Sequence, residues 1–224
     1  MTDLTAPTAF LDRLADAASD SIMPHFRAGA AVEDKGADAF DPVTAADRAA
    51  EAAMRAFITG LPVWGTLIGL TRAGAPLIGM MAQPFTGERF AGDGRRAWYS
   101  GPGGRRDLST RPCEALSEAA LFTTTPALFD GDDRRAYERV ERSVRLARYG
   151  CDCYAYCMVA AGHADVVIEA GLAPYDIVAL IPIIVGAGGQ VTDWQGNSAA
   201  AGGRVVASGD RRLHDQVLAT LAGG

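Results

Sequence analysis

The sequence predicts a layered, mixed α/β fold, and three features carry that prediction. Helical and strand patterns both recur along the 224 residues. The first half is rich in hairpins, whereas the second half alternates strand and helix. The apolar fraction of 49% against 21% charged residues is ordinary for a globular chain able to bury a large core.

Each element follows from its local pattern. Phe10, Leu11, Leu14, Ile22 and Phe26 share one helical face and predict a helix ending near Gly29. "FDPVTAADRAAEAAMRAF" predicts a second helix, with Pro42 and Thr44 near its start. "VWGTLIGLTR" and "APLIGMMAQP" predict paired buried strands, and "GERFAGDGRRAWYS" continues them as a hairpin turning at Asp93-Gly94. "EAALFTTTP" predicts a strand, and "DRRAYERVERSVRLARYG" a charged amphipathic helix. There follow a helix at 151–161, a strand at "ADVVIEA", a helix from Tyr175, strands at "GQVTDW" and "RVVAS", and a helix from Asp210. Pro182 falls inside the helix from Tyr175 and should kink it or remove one hydrogen bond. The expected organisation is one unit of two lobes, an N-terminal α+β lobe over about 1–130 and a C-terminal α/β lobe over about 131–224.

Charge and composition exclude several functions. A net charge of −6 argues against tracking nucleic-acid phosphates. No window reaches the ~18 apolar residues of a membrane span. "MTDLTAPTAFLDRLADAASD" lacks a basic stretch followed by an apolar core, so a cytoplasmic protein with reduced thiols is expected.

The stretch "YGCDCYAYCMVAAGHADVVIEAGLAPYDIVALIPIIVGAGG" holds three of the four cysteines. Their C-x-C-x3-C spacing matches no common zinc pattern. Cys153 and Cys157, at i and i+4 of a helix, read as buried packing. His163 reads as a solvated or hydrogen-bonded turn residue. The acids are more informative. Asp176 falls in the first turn of an apolar helix, where the helix dipole favours a carboxylate. Glu169 ends a strand seven residues earlier. Asp152 follows "YG" at another helix start, where backbone N–H groups are free to meet an anion. Each has a plain structural reading, but three acids at the mouths of consecutive elements suggest one pocket. "GAGGQ" is a weak nucleotide-binding signal, because its glycines follow a helix instead of a strand.

With those residues in place, the chain resembles the inositol monophosphatase superfamily. The matching pieces are "DPVTAADRAAE", "GLPVWGTLIGL", the "YGCDCYAYC…APYD" stretch and "AGGQVTDWQG", in the family's order and over nearly the whole chain. "GCDCYAYC", with Pro-Tyr-Asp in place of Trp-Asp, is most similar to the bacterial histidinol-phosphatase branch. The resemblance implies an αβαβα sandwich and a magnesium-dependent phosphomonoesterase using two or three ions, usually dimeric. It implies Asp176 as a metal ligand, and Asp47 with Thr44 as catalytic residues beside the attacking water. Asp152, Glu169, Gly150 and Cys151 would meet the substrate, the two acids pairing with the ammonium and imidazole of histidinol phosphate. The alternatives are an inositol-1-monophosphatase or other small phosphomonoesterase, and a non-catalytic dimeric relative.

One departure stands out. The family's Gly-Glu-Glu and Asp-Pro-Ile-Asp-Gly-Thr segments, which supply the first metal site, have no counterpart between the Asp47 helix and "GLPVW". The expectation is a loop omitted near 54–57 rather than deleted.

Overall fold

Period-two alternation builds the first sheet. The computed structural model describes residues 5–25, 33–34, 42–43 and 64–223. In it β1 (Glu33–Asp34) and β2 (Pro42–Val43) form a two-stranded ribbon. Strands β3 (Thr66–Arg72), β4 (Ala75–Gln83), β5 (Glu88–Gly92), β6 (Ala97–Gly101) and β7 (Gly104–Asp107) form an antiparallel sheet in chain order. Along β4, Ile78, Met80 and Ala82 pack with Leu11 and Ala15 of helix α1 (Thr5–Ile22). Met81 points the other way, joining Phe90 and Tyr99 in the central core.

The second sheet comprises β8 (Ala120–Thr123), β9 (Leu146–Tyr149), β10 (Val166–Leu172), β11 (Gln190–Asp193) and β12 (Gly203–Ser208). Its order is β11-β12-β10-β8-β9. β10, β8 and β9 run parallel, while β12 is antiparallel to both β10 and β11. Val167, Val205 and Ala207 face the central core. Val166, Ile168 and Val206 face outward against α2 (Gly131–Glu141) and α6 (Arg211–Ala222). Between the sheets lie α3 (Asp152–Ala160), α4 (Pro174–Ile177) and α5 (Leu180–Gly186). The layers therefore read αβαβα, as the family resemblance implied. The second sheet starts at Ala120.

Two close approaches fix the middle layer on the first sheet. A Cβ on Gly79 would stand 1.8 Å from the Ala179 carbonyl oxygen, and one on Gly92 would stand 2.5 Å from that of Pro182. Only bare backbone admits the helix this closely. Pro182 also explains why α4 and α5 are separate. It has no N–H to bond the Val178 carbonyl four residues back, and the helix is interrupted at 178–179.

Several sequence expectations shift. The charged run after residue 130 is helical only to Glu141, and Leu146–Tyr149 becomes β9, paired in parallel with β8. The exposed edge of β8 needs backbone partners, and that need outweighs the helical pattern. Hairpin β6–β7 extends the first sheet by a strand not expected from the pattern. Pro42–Val43 is extended instead of opening a helix. The rest of the "FDPVTAADRAAEAAMRAF" helix, with Phe26, Gly29 and residues 54–57, lies outside the described residues.

Buried polar groups tie the layers. Asp165, 1% exposed, accepts from Arg111 Nε and Nη2 at 2.7 and 2.6 Å and from the Ala120 N–H at 2.7 Å. His214 lies between the hydroxyls of Ser208 at 2.7 Å and Thr192 at 2.9 Å, joining α6 to β12 and β11.

Candidate active site

The parallel strands β8, β9 and β10 bring their carboxyl ends to one edge of the second sheet. Ligands of α/β sheets bind outside such ends. At this edge the Gly150 N–H donates to the carbonyls of Thr123 and Thr124, at 3.2 and 3.0 Å. Gly150 has φ +82°, and two residues on Asp152 has φ +43°. Aspartate enters the left-handed region more readily than most residues, but the conformation is still strained. It places Asp152 at the first residue of α3, where Cys151 supplies no side-chain cap to the helix.

Glu169 is 2% exposed, and hydrogen bonds between the end of β8 and β10 offset part of the cost of burying it. Oε1 accepts from the Thr124 N–H at 2.6 Å and the Thr124 hydroxyl at 3.0 Å, while Oε2 accepts from the Thr123 hydroxyl at 3.2 Å. Burial still wins over these donors and, with the nearby Asp152 charge, pushes the carboxyl up to about 7. Asp176 is half-buried at the third position of α4, where Oδ2 accepts from the Ala173 N–H at 2.8 Å. One of its oxygens thus caps its own helix.

One turn below Asp152 on α3 lies Tyr156, 3% exposed. Burial holds its phenol far above the ordinary value, and the charges of Glu169 and Asp176 add to that effect. Asp152 acts on Glu169, and Glu169 and Asp176 act on Tyr156, so the three acids bias one neighbourhood toward negative charge. Tyr175, beside Asp176, is 72% exposed.

The thiols show no sign of reactivity. All four cysteines are free. Burial pushes Cys153 up to about 12 and raises Cys157 well above its ordinary range. Cys157 is fully buried in the central core, with Cys153 packed against that core. His163 is exposed, in the turn after α3.

The expected site residues divide into two groups. Asp152, Glu169, Gly150 and Cys151 gather at the strand ends, and the charges of Glu169 and Asp176 both reach the Tyr156 phenol. Asp47 and Thr44 lie outside the described residues. Among the described residues no three His, Cys, Asp or Glu side chains come together to hold a metal. Asp176, with one oxygen already engaged, does not meet the octahedral oxygen demand of magnesium. The described residues therefore do not by themselves fit that ion.

The model of the inositol monophosphatase family matches residues 55–223. The chain belongs to this family. The bifunctional phosphatase IMPL2 of Arabidopsis thaliana, a chloroplastic protein, is 39% identical over 269 residues, covering 98% of this chain and 76% of the relative. The histidinol-phosphatase of Mycobacterium tuberculosis is 34% identical over 172 residues, and the match spans 65% of that protein's length. A solved structure of an inositol monophosphatase from Zymomonas mobilis superposes with a TM-score of 0.89 at 32% identity, covering 99% of this chain and 100% of that one. The family's fold and this chain's fold are the same.

The match to the Arabidopsis relative extends over 269 positions but uses only 98% of 224 residues, so roughly 50 of its positions stand opposite no residue here. Met54, Arg55, Ala56 and Phe57 are consecutive, and no Asp or Glu occurs between Glu51 and Glu88. The sequence offers no Asp or Glu over 52–87 for the role the family's acidic segments play.

Thr123, Thr124 and Tyr156 were not among the expected site residues. The run "TTTP" directly after an apolar strand was the available signal for the threonines, since hydroxyls at a strand end can hold a buried acid. Nothing in the pattern marks Tyr156, which reads as a core aromatic.

Proposed function

We propose that this chain is a phosphoric monoester hydrolase whose substrate is histidinol phosphate, recognised by its cationic end. The observation that supports this most is the placing of Asp152 and Glu169 at one sheet edge, Glu169 being buried yet gripped by three donors. An ammonium or imidazolium supplies the N–H groups that two carboxylates accept, with charge assistance. A sugar alcohol lacks those charges and gains less. Gly150 and Cys151 would line the same pocket, and the two-lobed unit would enclose it.

The family's magnesium dependence comes to this chain as part of the same proposal, with two or three ions. Asp176 would be one ligand, and Asp47 with Thr44 would stand by the attacking water. When bound, magnesium supplies charge that stabilises the phosphoryl oxygens. The site also needs carboxylates beyond Asp176. We further propose a cytoplasmic homodimer acting in histidine biosynthesis. Among the described residues no helix is long and apolar enough to cross a membrane.

The unbroken sequence from Glu51 to Glu88 favours one second reading, a family member that binds the ligand without turnover. Binding of the dephosphorylated alcohols tests recognition apart from hydrolysis. Calorimetric titration should show histidinol binding at least about tenfold tighter than inositol, as expected for a charge-assisted contact. Equal affinities, or a preference for inositol, would refute the histidinol assignment.

A further inference from the structure

Among the described residues, the buried Tyr156 hydroxyl has no hydrogen-bond partner. Nearly all buried polar groups in native proteins are paired, and an orphan costs about 1–3 kcal/mol. Packing explains the ring, which belongs to the central core beside Ala155 and Cys157. It does not explain the oxygen, because a phenylalanine would fill the same space without the penalty.

The position of that oxygen is informative. Asp152 and Tyr156 are four residues apart on α3 and so share one face, Asp152 half-buried at the helix start and Tyr156 buried one turn on. The carboxylates of Glu169 and Asp176 are close enough for their charges to act on the phenol. Ionised carboxylates only accept hydrogen bonds, whereas a phenol both donates and accepts. A donor-rich cation seated among these groups would give one N–H to a carboxylate and another to the phenol oxygen.

We propose that the Tyr156 hydroxyl is the floor of the amine pocket, a specificity-determining group that accepts a hydrogen bond from the substrate's cationic nitrogen. This rests on the histidinol reading above and extends it to a residue outside the acidic pair. Bond and burial thus have one explanation: the oxygen is orphaned in the free protein because its partner arrives with the ligand.

The test uses the full chain and the variant Tyr156→Phe, with histidinol as the probe. Two quantities are measured, histidinol affinity by calorimetry and the melting temperature without ligand. Affinity should fall about tenfold or more, as loss of a hydrogen bond to a charged group requires. The ligand-free melting temperature should stay level or rise, because the variant removes an unpaired buried hydroxyl. Unchanged histidinol affinity in the variant, while the parent chain binds, would overturn this inference and leave the histidinol reading standing. A clear drop in melting temperature would also overturn it, since the hydroxyl would then serve the fold. Failure of the parent chain to bind histidinol would remove the reading and this inference together.

Discussion

Thr124 holds one oxygen of Glu169 at two points, by its backbone N–H at 2.6 Å and by its hydroxyl at 3.0 Å. The pair joins the end of β8 to the neighbouring strand β10 and keeps a buried carboxylate aimed at the sheet edge. Burial nevertheless brings Glu169 to about 7, so its charge is set within the physiological range.

A pH dependence with opposite signs follows. Cation binding needs the ionised form, so the Glu169 contribution to histidinol affinity should grow from about pH 6 to about pH 8. Stability should run the other way. A carboxyl raised from 4.5 to about 7 stabilises the fold fully below the unfolded value and loses that contribution as pH rises through the folded one. The loss amounts to about 3 kcal/mol. Because the imidazole of histidinol titrates nearby, Glu169→Gln is the control. The difference between parent and variant should carry both trends, and parallel profiles would refute the assignment.

Asp152→Asn should weaken histidinol phosphate much more than a generic aryl phosphate. On the proposed reading the substitution removes a charge-assisted contact to the cationic end and leaves the phosphate end alone, a loss of about 1.5–3 kcal/mol. Asparagine also tolerates the left-handed conformation found here, with φ +43°, so the fold should persist. Steady-state measurements on both substrates decide it, and equal losses would place Asp152 in a structural role.

Asp176→Asn keeps a side-chain oxygen to accept from the Ala173 N–H, so circular dichroism and melting temperature should change little. Phosphate release should fall by about two orders of magnitude or more, because the proposed metal ligand would lose its charge. Near-normal release at saturating magnesium would sink the ligand role.

Gly79→Ala tests the packing that sets the middle layer. Its Cβ would meet the Ala179 carbonyl oxygen at 1.8 Å, a backbone atom that cannot rotate away. The helix must shift, and a loss of about 3 kcal/mol or more in denaturant unfolding is expected. A variant within about 0.5 kcal/mol of the parent would contradict the close approach.

Most of the layered architecture was legible because alternation and helical spacing report burial directly. Met80 and Met81, adjacent in sequence, serve opposite faces of one strand, as a period of two requires. Leu146–Tyr149 misled, since its charged pattern extends a helix while the open edge of β8 calls for a strand. Pro182 was readable as a disruption, and the missing N–H places the interruption at 178–179. The acids of the site stood out by their position before or after apolar runs. The groups that support them did not. Thr124 acts through a partner 45 residues away, and Tyr156 differs from a core phenylalanine by one oxygen. Such relationships are tertiary and leave no local period to read.

The most direct test of the central claim is phosphate release from histidinol phosphate by the purified chain, compared with inositol phosphate, with and without magnesium. The account predicts release that requires magnesium and favours histidinol phosphate by at least about tenfold, as charge recognition implies. Absence of release from either substrate, in a folded chain that still binds histidinol, would contradict the hydrolase assignment and establish the binding-only reading.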